Sequence, residues 1–305
     1  MLQHPRPTDN ISINDVWLSY PGAKICIRTD LAMPYLKKVM AKTPKTFVQS
    51  PKWNNPESSK TIKEMKRLTK QFEKELMTSG KATMKYAIKA SDGYHVPIIT
   101  GNSKLGGAFK SLSFRPVIDC GNCAGCAGSC YDLRHDVTNK ACMELRCLTA
   151  AIYNTDPERF WREVDASMTM TRLLRLHVGG EFLSQDYFDN MARLASKHKH
   201  VKLLAFTKMY EYVNHYIDEN GSLPENFHVI MSAWPGVVLD NPHNLPISFP
   251  VFASEDIEKD AKLLEFQNSM PKFYWHCNDD CTDCALSDQG CFKLGKGESV
   301  GFNYH

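Results

Sequence analysis

Apolar residues recur along the chain at two different spacings. Between Glu57 and about Ser79 they return every three or four residues, as at Met65, Leu68 and Phe72, which predicts an amphipathic helix with its lysines facing outward. From about residue 96, short apolar runs alternate with longer amphipathic stretches. The short runs predict strands, and the amphipathic stretches predict helices.

The second pattern predicts six strands and five helices. The strands are expected at Lys110–Arg115, Leu173–Val178, Val201–Phe206, Phe227–Ser232, Ile247–Ala253 and Lys272–His276. The helices are expected at Asn139–Ile152, Pro157–Met170, Gln185–His198, Tyr210–Glu219 and Ile257–Gln267. Asp156 and Ser254 precede two of these helices, and their side chains are expected to cap the free N–H groups there.

Strand and helix thus alternate about six times, which implies a parallel sheet with right-handed crossovers. We therefore predict an α/β protein with a partial or complete (β/α) barrel of about six parallel strands, and an open doubly wound sheet is the alternative. Residues 1–95 are expected to form a basic N-terminal extension with one long helix. Residues 96–305 are expected to form the barrel-like domain.

Composition places the chain among ordinary globular proteins, with 43% hydrophobic and 23% charged residues. No apolar run approaches the roughly 20 residues of a membrane span, so no membrane association is expected. The start, Met1 to Pro5, lacks the basic and apolar regions of a secretion signal. The expected compartment is therefore the cytoplasm, where disulfides are disfavoured.

The net charge of +3 is unevenly distributed. Residues 1–119 carry 20 Lys and Arg against 9 Asp and Glu, and the remainder of the chain is acidic. A basic half predicts a polyanionic partner such as nucleic acid. The alternative is a solvated, lysine-rich helix face that serves solubility.

Four cysteines form the first cysteine cluster: Cys120, Cys123, Cys126 and Cys130. Their spacing, C-x₂-C-x₂-C-x₃-C, matches the bacterial ferredoxin run that holds iron–sulfur clusters. The intervening residues are small, so backbone amides can approach cluster sulfides. This pattern favours a [4Fe-4S] cluster over zinc.

The second cysteine cluster lies near the C-terminus and consists of Cys277, Cys281, Cys284 and Cys291. It supplies four thiols by itself, enough for an auxiliary [4Fe-4S] cluster, and a structural zinc ion is the alternative. Two further cysteines, Cys142 and Cys147, lie in a predicted helix. We interpret them as buried side chains, with Cys142 as an alternative extra ligand.

Polar residues and glycines follow the predicted strands, where α/β proteins build their sites. His177 is a candidate proton donor, and Lys208 is a candidate anchor for a carboxylate or phosphate. Between them along the chain lies the turn Gly179-Gly180-Glu181. For His177 and Lys208, the alternatives are a packed strand residue and a simple ion pair. Both cysteine clusters are expected on this same rim of the sheet.

A strand that enters a cysteine-rich loop, followed by a second strand that ends at Gly179-Gly180-Glu181, resembles the core of the radical S-adenosylmethionine enzymes. The resemblance implies a reactive [4Fe-4S] cluster on three cysteines of the first cluster. It also implies that Gly179, Gly180 and Glu181 bind S-adenosylmethionine, and that the second cysteine cluster holds an auxiliary cluster. The chain departs from that family in its cysteine order and in Phe182, which replaces a proline.

Other segments resemble a family of phage and mobile-element proteins, the gene product eighty-eight family. They are Leu174–Tyr187, Ala205–Lys208 and the ending from Cys281 to His305. The resemblance covers roughly residues 100–305 and implies a phage-type origin, but it names no reaction.

Three functional hypotheses follow from the sequence. The first is an iron–sulfur protein that acts as a radical S-adenosylmethionine-like enzyme on an unknown substrate. The second is a metal-stabilised, phage-type protein that binds nucleic acid through its lysine-rich N-terminal half. The third is a non-catalytic iron–sulfur or redox protein.

Overall fold

The computed structural model describes residues 56–79, 88–90, 93–96, 98–101, 109–121, 126, 130–272, 274–277, 281–287 and 289–304. Cys123, His305 and the first 55 residues of the basic extension lie outside the described residues. What the sequence predicts for them stays a prediction.

The described residues form helices and strands that alternate through most of the chain. The helices are α1 (Pro56–Ser79), α2 (Tyr131–Thr138), α3 (Lys140–Thr155), α4 (Pro157–Thr169), α5 (Gln185–Lys197), α6 (Tyr210–Asn220), α7 (Ser254–Lys259), α8 (Ala261–Ser269) and α9 (Cys281–Leu286). The strands are β1 (Ile88–Ala90), β2 (Gly93–His95), β3 (Ile99–Gly101), β4 (Phe109–Leu112), β5 (Leu173–Leu176), β6 (Lys202–Thr207), β7 (Phe227–Ser232), β8 (Ile247–Val251), β9 (Trp275–His276) and β10 (Ser299–Asn303). A 3₁₀ turn spans Gly290–Phe292.

Eight strands form one open sheet in the order β3-β4-β5-β6-β7-β8-β10-β9. All neighbours are parallel except β3, which pairs antiparallel with β4 at one edge. The α/β class and the parallel sheet are therefore confirmed. A closed barrel is wrong, because antiparallel β3 occupies one edge and two-residue β9 the other, and these edges do not pair.

The sheet has seven parallel strands rather than about six, because β10 was not predicted. β10 lies between β8 and β9 and is parallel to both. Its residues, Ser-Val-Gly-Phe-Asn, form a short run interrupted by glycine, so they do not show a clear strand pattern. Non-local pairing decides this strand more than its own sequence does.

Side-chain alternation gives the sheet two differently covered faces. On β5, Leu174 and Leu176 belong to the main core, whereas Leu173 belongs to a second apolar cluster on the opposite face. The main core also contains the buried sides of α1, α3, α4, α5, α6 and α8. The opposite face is covered by α9 and the 3₁₀ turn through Cys284, Ala285 and Phe292.

Helix α1 confirms the amphipathic pattern in the basic segment. Met65, Leu68 and Phe72 are buried in the main core, where α1 packs on α3. The lysines at positions 60, 63, 66, 70 and 74 are exposed. The helix therefore presents a basic face to solvent, and its nucleic-acid partner stays a prediction. Among the described residues, none of the helices is both long and apolar enough to cross a lipid bilayer.

Capping side chains mark the start of one predicted helix and the point where another predicted helix is divided. The Asp156 carboxylate accepts a hydrogen bond from the N–H of Arg159 (2.9 Å), so the predicted cap of α4 is confirmed. The helix predicted over Ile257–Gln267 is instead split into α7 and α8. At the break, Asp260 has an extended backbone, and its side chain accepts from the N–H of Lys262.

Candidate metal centres

The loop that carries the first cysteine cluster is fastened to the turn after β5. The N–H of Phe114 donates to the carbonyl of Gly179 (2.8 Å), and the N–H of Glu181 donates to the carbonyl of Asp119 (2.9 Å). Asp119 is also held by two hydrogen bonds from the Arg115 guanidinium. The chain that enters the cluster therefore runs beside the Gly179-Gly180-Glu181 turn.

Three described thiols of this cluster are held near one another. The Cys120 sulfur accepts a hydrogen bond from the N–H of Val117 (3.1 Å), and the Cys130 sulfur caps α2 by accepting from the N–H of Leu133 (3.4 Å). Burial raises the pKa of Cys130 to about 12, and the neighbouring charges of Asp132, Cys126 and Cys120 add to that shift. The raised pKa favours the protonated thiol. A coordinated metal ion would favour the thiolate instead, because it deprotonates the thiols that bind it.

Both glycines of the turn are required by close approaches of other chain segments. A Cβ on Gly180 would lie 2.6 Å from the Cβ of Phe114, and Gly180 has a φ of +81°. A Cβ on Gly179 would lie 2.1 Å from Oδ2 of Asp132 on α2. The two glycines thus let the cysteine loop and α2 pack against the end of β5. Their contact with a cofactor stays a prediction.

The carboxylate of Glu181 is buried and joins the ends of β5 and β6. It accepts hydrogen bonds from the Thr207 hydroxyl (2.7 Å) and from the N–H of Lys208 (3.0 Å). Burial raises the pKa of Glu181, while the charge of Lys208 opposes that effect. The Lys208 ammonium lies 5.5 Å from the ring centre of Trp234. Glu181 and Lys208 are therefore neighbours on the rim, as predicted, but the anchoring role of Lys208 stays a prediction.

His177 lies beneath the turn, inside the aromatic core. Its ring is 5% exposed and packs edge-to-face on Phe182, and its Nε2 is 3.1 Å from the Tyr187 hydroxyl. Burial lowers the pKa of His177 to about 3, with the charge of Arg175 adding to the shift. The imidazole is therefore neutral at physiological pH. Its proposed role as a proton donor stays a prediction.

The burial of His177 predicts a pH-dependent stability. In the unfolded chain the histidine pKa is about 6.5, so acid protonates the unfolded state first. The contribution to the free energy of unfolding is complete above about pH 6.5, and it is lost as the pH falls towards 3. Between pH 7.5 and pH 5 it amounts to about 2 kcal/mol.

We expect His177→Asn to remove this part of the pH dependence. Asparagine tolerates the positive φ of 53° found at this position. The measurement is urea unfolding of the wild type and the variant at pH 7.5 and pH 5. Equal losses of stability on acidification would contradict a neutral, buried His177.

In the second cysteine cluster, the other three cysteines are near enough to affect the pKa of Cys291. Burial raises the pKa of Cys291 well above its usual range, and the charges of Cys277, Cys281 and Cys284 add to the shift. All four cysteines pack with the apolar cluster on the second face of the sheet. Gly290 makes room there, because a Cβ on it would lie 2.9 Å from the Cys284 sulfur. The four cysteines therefore occupy one region of this face, and their role as a metal centre stays a prediction.

A half-buried arginine lies near these thiols. The Arg175 guanidinium lies 3.9 Å above the ring of Phe206, and its Nε has no hydrogen-bond partner among the described residues. Burial lowers the pKa of Arg175, and the charges of Tyr131 and of Cys281, Cys291 and Cys277 oppose that shift. Arg175 is thus near three cysteines of the second cluster and near Tyr131, which follows Cys130 of the first.

The structure also shows how the two cysteine clusters are placed in the fold. The first lies at the carboxyl ends of β4 and β5, as predicted. The second starts at the carboxyl end of β9 but packs on the second face of the sheet. Arg175 is near the second cluster and near Tyr131 beside the first. The sequence analysis did not identify it. A charged residue between Leu174 and Leu176, within a buried strand, was the available clue.

A family model described as gene product 88 matches residues 89–234, just under half of the chain. The match supports the resemblance to the gene product eighty-eight family of phage proteins. It contains the first cysteine cluster and the Gly179-Gly180-Glu181 turn, while the second cysteine cluster lies outside it. No curated protein and no solved structure matches the chain, so the radical S-adenosylmethionine resemblance gains no support from these comparisons.

Proposed function

We propose that this chain is an iron–sulfur protein in which the two cysteine clusters hold two separate centres. The observation that carries the proposal is Arg175, a half-buried cation within reach of the charges of Cys277, Cys281 and Cys291. Four neutral thiols would leave this guanidinium without a compensating charge. Removing a charge from water, even in part, costs free energy that a nearby opposite charge offsets.

A metal centre resolves this imbalance. Four thiolates carry four negative charges, and a bound [4Fe-4S]²⁺ cluster or zinc ion contributes two positive charges. Either centre keeps a net charge of about −2, which attracts the Arg175 guanidinium. The residues present therefore fit a bound cysteine-held centre.

The first cysteine cluster supports iron over zinc through its sequence and its surroundings. The ferredoxin-type spacing supplies more thiols within eleven residues than a single zinc knuckle uses. Backbone N–H groups of Val117 and Leu133 already point at the Cys120 and Cys130 sulfurs. Such hydrogen bonds stabilise thiolates and tune the potential of an iron–sulfur cluster.

The test is anaerobic purification of the full chain, followed by iron, sulfide and zinc analysis and an absorption spectrum. We expect about four iron and four sulfide ions per occupied centre, with thiolate-to-iron absorption in the visible range. A Cys126→Ser variant is expected to lower the iron content of the first centre alone. A colourless protein that carries zinc and no sulfide at both centres would overturn the proposal.

A second candidate function is an S-adenosylmethionine-dependent radical enzyme. The observation that favours it is the position of Cys126, whose charge acts on both Glu181 and Tyr210 at the ends of β5 and β6. An iron–sulfur centre together with S-adenosylmethionine supplies radical chemistry when both are bound. The rim of the sheet around Gly179-Gly180-Glu181 would orient the ligand, and Lys208 would hold its carboxylate or that of a substrate.

The same purified protein tests this candidate. We expect S-adenosylmethionine to alter the paramagnetic resonance spectrum of the reduced wild-type protein but not that of Cys126→Ser. An unchanged spectrum in a protein that contains iron and sulfide would contradict the enzyme and leave the iron–sulfur proposal intact. That result would favour the non-catalytic redox protein.

A further inference from the structure

A third group of metal-binding side chains lies outside both cysteine clusters, at the corner between α2 and α3. His135 and Asp136 end α2, and Cys142 lies in the first turn of α3. One ligand atom from each residue lies within 4.8 Å of the other two. The three therefore offer nitrogen, oxygen and sulfur donors at one point.

The corner is held in place by Asn139. Its backbone N–H donates to the carbonyl of His135 (2.8 Å), and its side-chain oxygen accepts from the N–H of Cys142 (3.1 Å). One residue thus closes α2 and caps α3. The backbone positions of two of the three donors are fixed before any ligand arrives.

The third donor, Asp136, shares a buried guanidinium with Asp132. The Arg146 guanidinium lies 2.6 Å from Oδ2 of Asp132 and 2.9 Å from Oδ2 of Asp136. The side chains of Asp132 and Arg146 are each 6% exposed, and that of Asp136 is fully buried. Two carboxylates therefore share one guanidinium, which holds Asp136 in place.

Asp136 lies close to the other two donors on the side away from Arg146. Oδ1 of Asp136 lies 3.8 Å from Nδ1 of His135, and the Asp136 carboxylate also has a hydrogen bond with the Cys142 side chain. A divalent cation bound among the three ligand atoms would take the place of the thiol proton that now lies between Cys142 and Asp136.

We propose that His135, Asp136 and Cys142 form a binding site for a divalent transition metal, with Zn²⁺ as the ion it fits best. Imidazole, carboxylate and thiolate are all zinc ligands, whereas Mg²⁺ and Ca²⁺ prefer oxygen donors alone. Three protein ligands leave a fourth position for water, as in catalytic zinc sites. Arg146 holds the second oxygen of Asp136 and thereby orients it. His135 and Cys142 are both partly exposed and give the ion a route from solvent.

The test is alkylation of Cys142 with iodoacetamide, followed by tryptic peptide mass spectrometry of the full-length protein. Cleavage after Lys140 and Arg146 gives the peptide Ala141–Arg146, in which Cys142 is the only cysteine. Cys147 falls in the next peptide and is fully buried, so it reports on the integrity of the fold. Because the thiolate is the reacting species, we expect added Zn²⁺ to slow the alkylation of Cys142 by about tenfold or more.

Matched variants identify the site as the source of that protection. In Asp136→Asn, and in the more exposed His135→Gln, Zn²⁺ is expected to leave the alkylation rate of Cys142 unchanged while Cys147 stays slow. The second variant serves if Asp136→Asn exposes Cys147 and so fails to fold. Equal protection by Zn²⁺ in both folded variants would place the metal elsewhere, and no protection in the wild type would overturn the proposal. The readout does not depend on what the two cysteine clusters hold.

Discussion

Cys291→Ser is expected to lose the metal of the second centre and most of the stability of the segment that covers the second face of the sheet. The charges of Cys277, Cys281 and Cys284 all act on Cys291. Metal binding by four thiolates contributes on the order of 10 kcal/mol to folding in small metal-held units. We therefore expect the melting temperature of the metal-loaded protein to fall by more than about 10 °C.

The control for this variant is Cys147→Ser. Cys147 is fully buried, and its thiol donates to the carbonyl of Met65 (3.5 Å), a bond that a serine hydroxyl can also make. Its replacement is expected to cost about 1 kcal/mol and to leave the metal content unchanged. Calorimetry and metal analysis of both variants make the comparison. If the two variants melt alike and retain equal metal, the second cysteine cluster holds no metal centre.

Gly180→Ala is expected to be the most damaging substitution in the turn after β5. The added Cβ would lie 2.6 Å from the Cβ and 3.2 Å from the Cα of Phe114, and the backbone there cannot move aside cheaply. Phe114 is fully buried against Tyr153, Phe160 and Tyr187. We expect a loss of about 3–5 kcal/mol, and a displaced entry to the first cysteine cluster with a lower metal content there.

Gly221→Ala separates the steric collision from backbone strain. Gly221 has a φ of +80°, nearly that of Gly180, but a Cβ on it would meet nothing within 4 Å. This substitution is expected to cost only about 1 kcal/mol, because it adds strain without a clash. Chemical denaturation of both variants measures the difference. Equal losses would show that Phe114 does not press against the turn.

The helices and most strands could be predicted from the sequence because their patterns are local. The buried stripe of α1 and the cap of α4 by Asp156 follow directly from residue order. Helix α2 was missed, because its polar sequence has a weak apolar period and its cap is the Cys130 thiol. The open edges of the sheet were also beyond reach, since they depend on how distant strands pair.

The candidate centres likewise include some that the sequence predicts and some that only the tertiary structure shows. Short cysteine spacings mark both clusters as metal-binding candidates, because neighbouring thiols in a reducing compartment have few other uses. Arg175 and the corner of His135, Asp136 and Cys142 were not recognised. Each becomes meaningful only when its neighbours from other elements are known, and no spacing rule brings them together.

By itself, the sequence determined the α/β class, the cysteine clusters and the polar turn after β5, because periodicity and short spacings are properties of adjacent residues. The tertiary structure decided that the sheet stays open and that the second cysteine cluster covers one of its faces. It also placed a half-buried arginine near that cluster and brought the ligand atoms of His135, Asp136 and Cys142 together. These features depend on burial and on the balance of charge between distant residues, which only the folded chain defines.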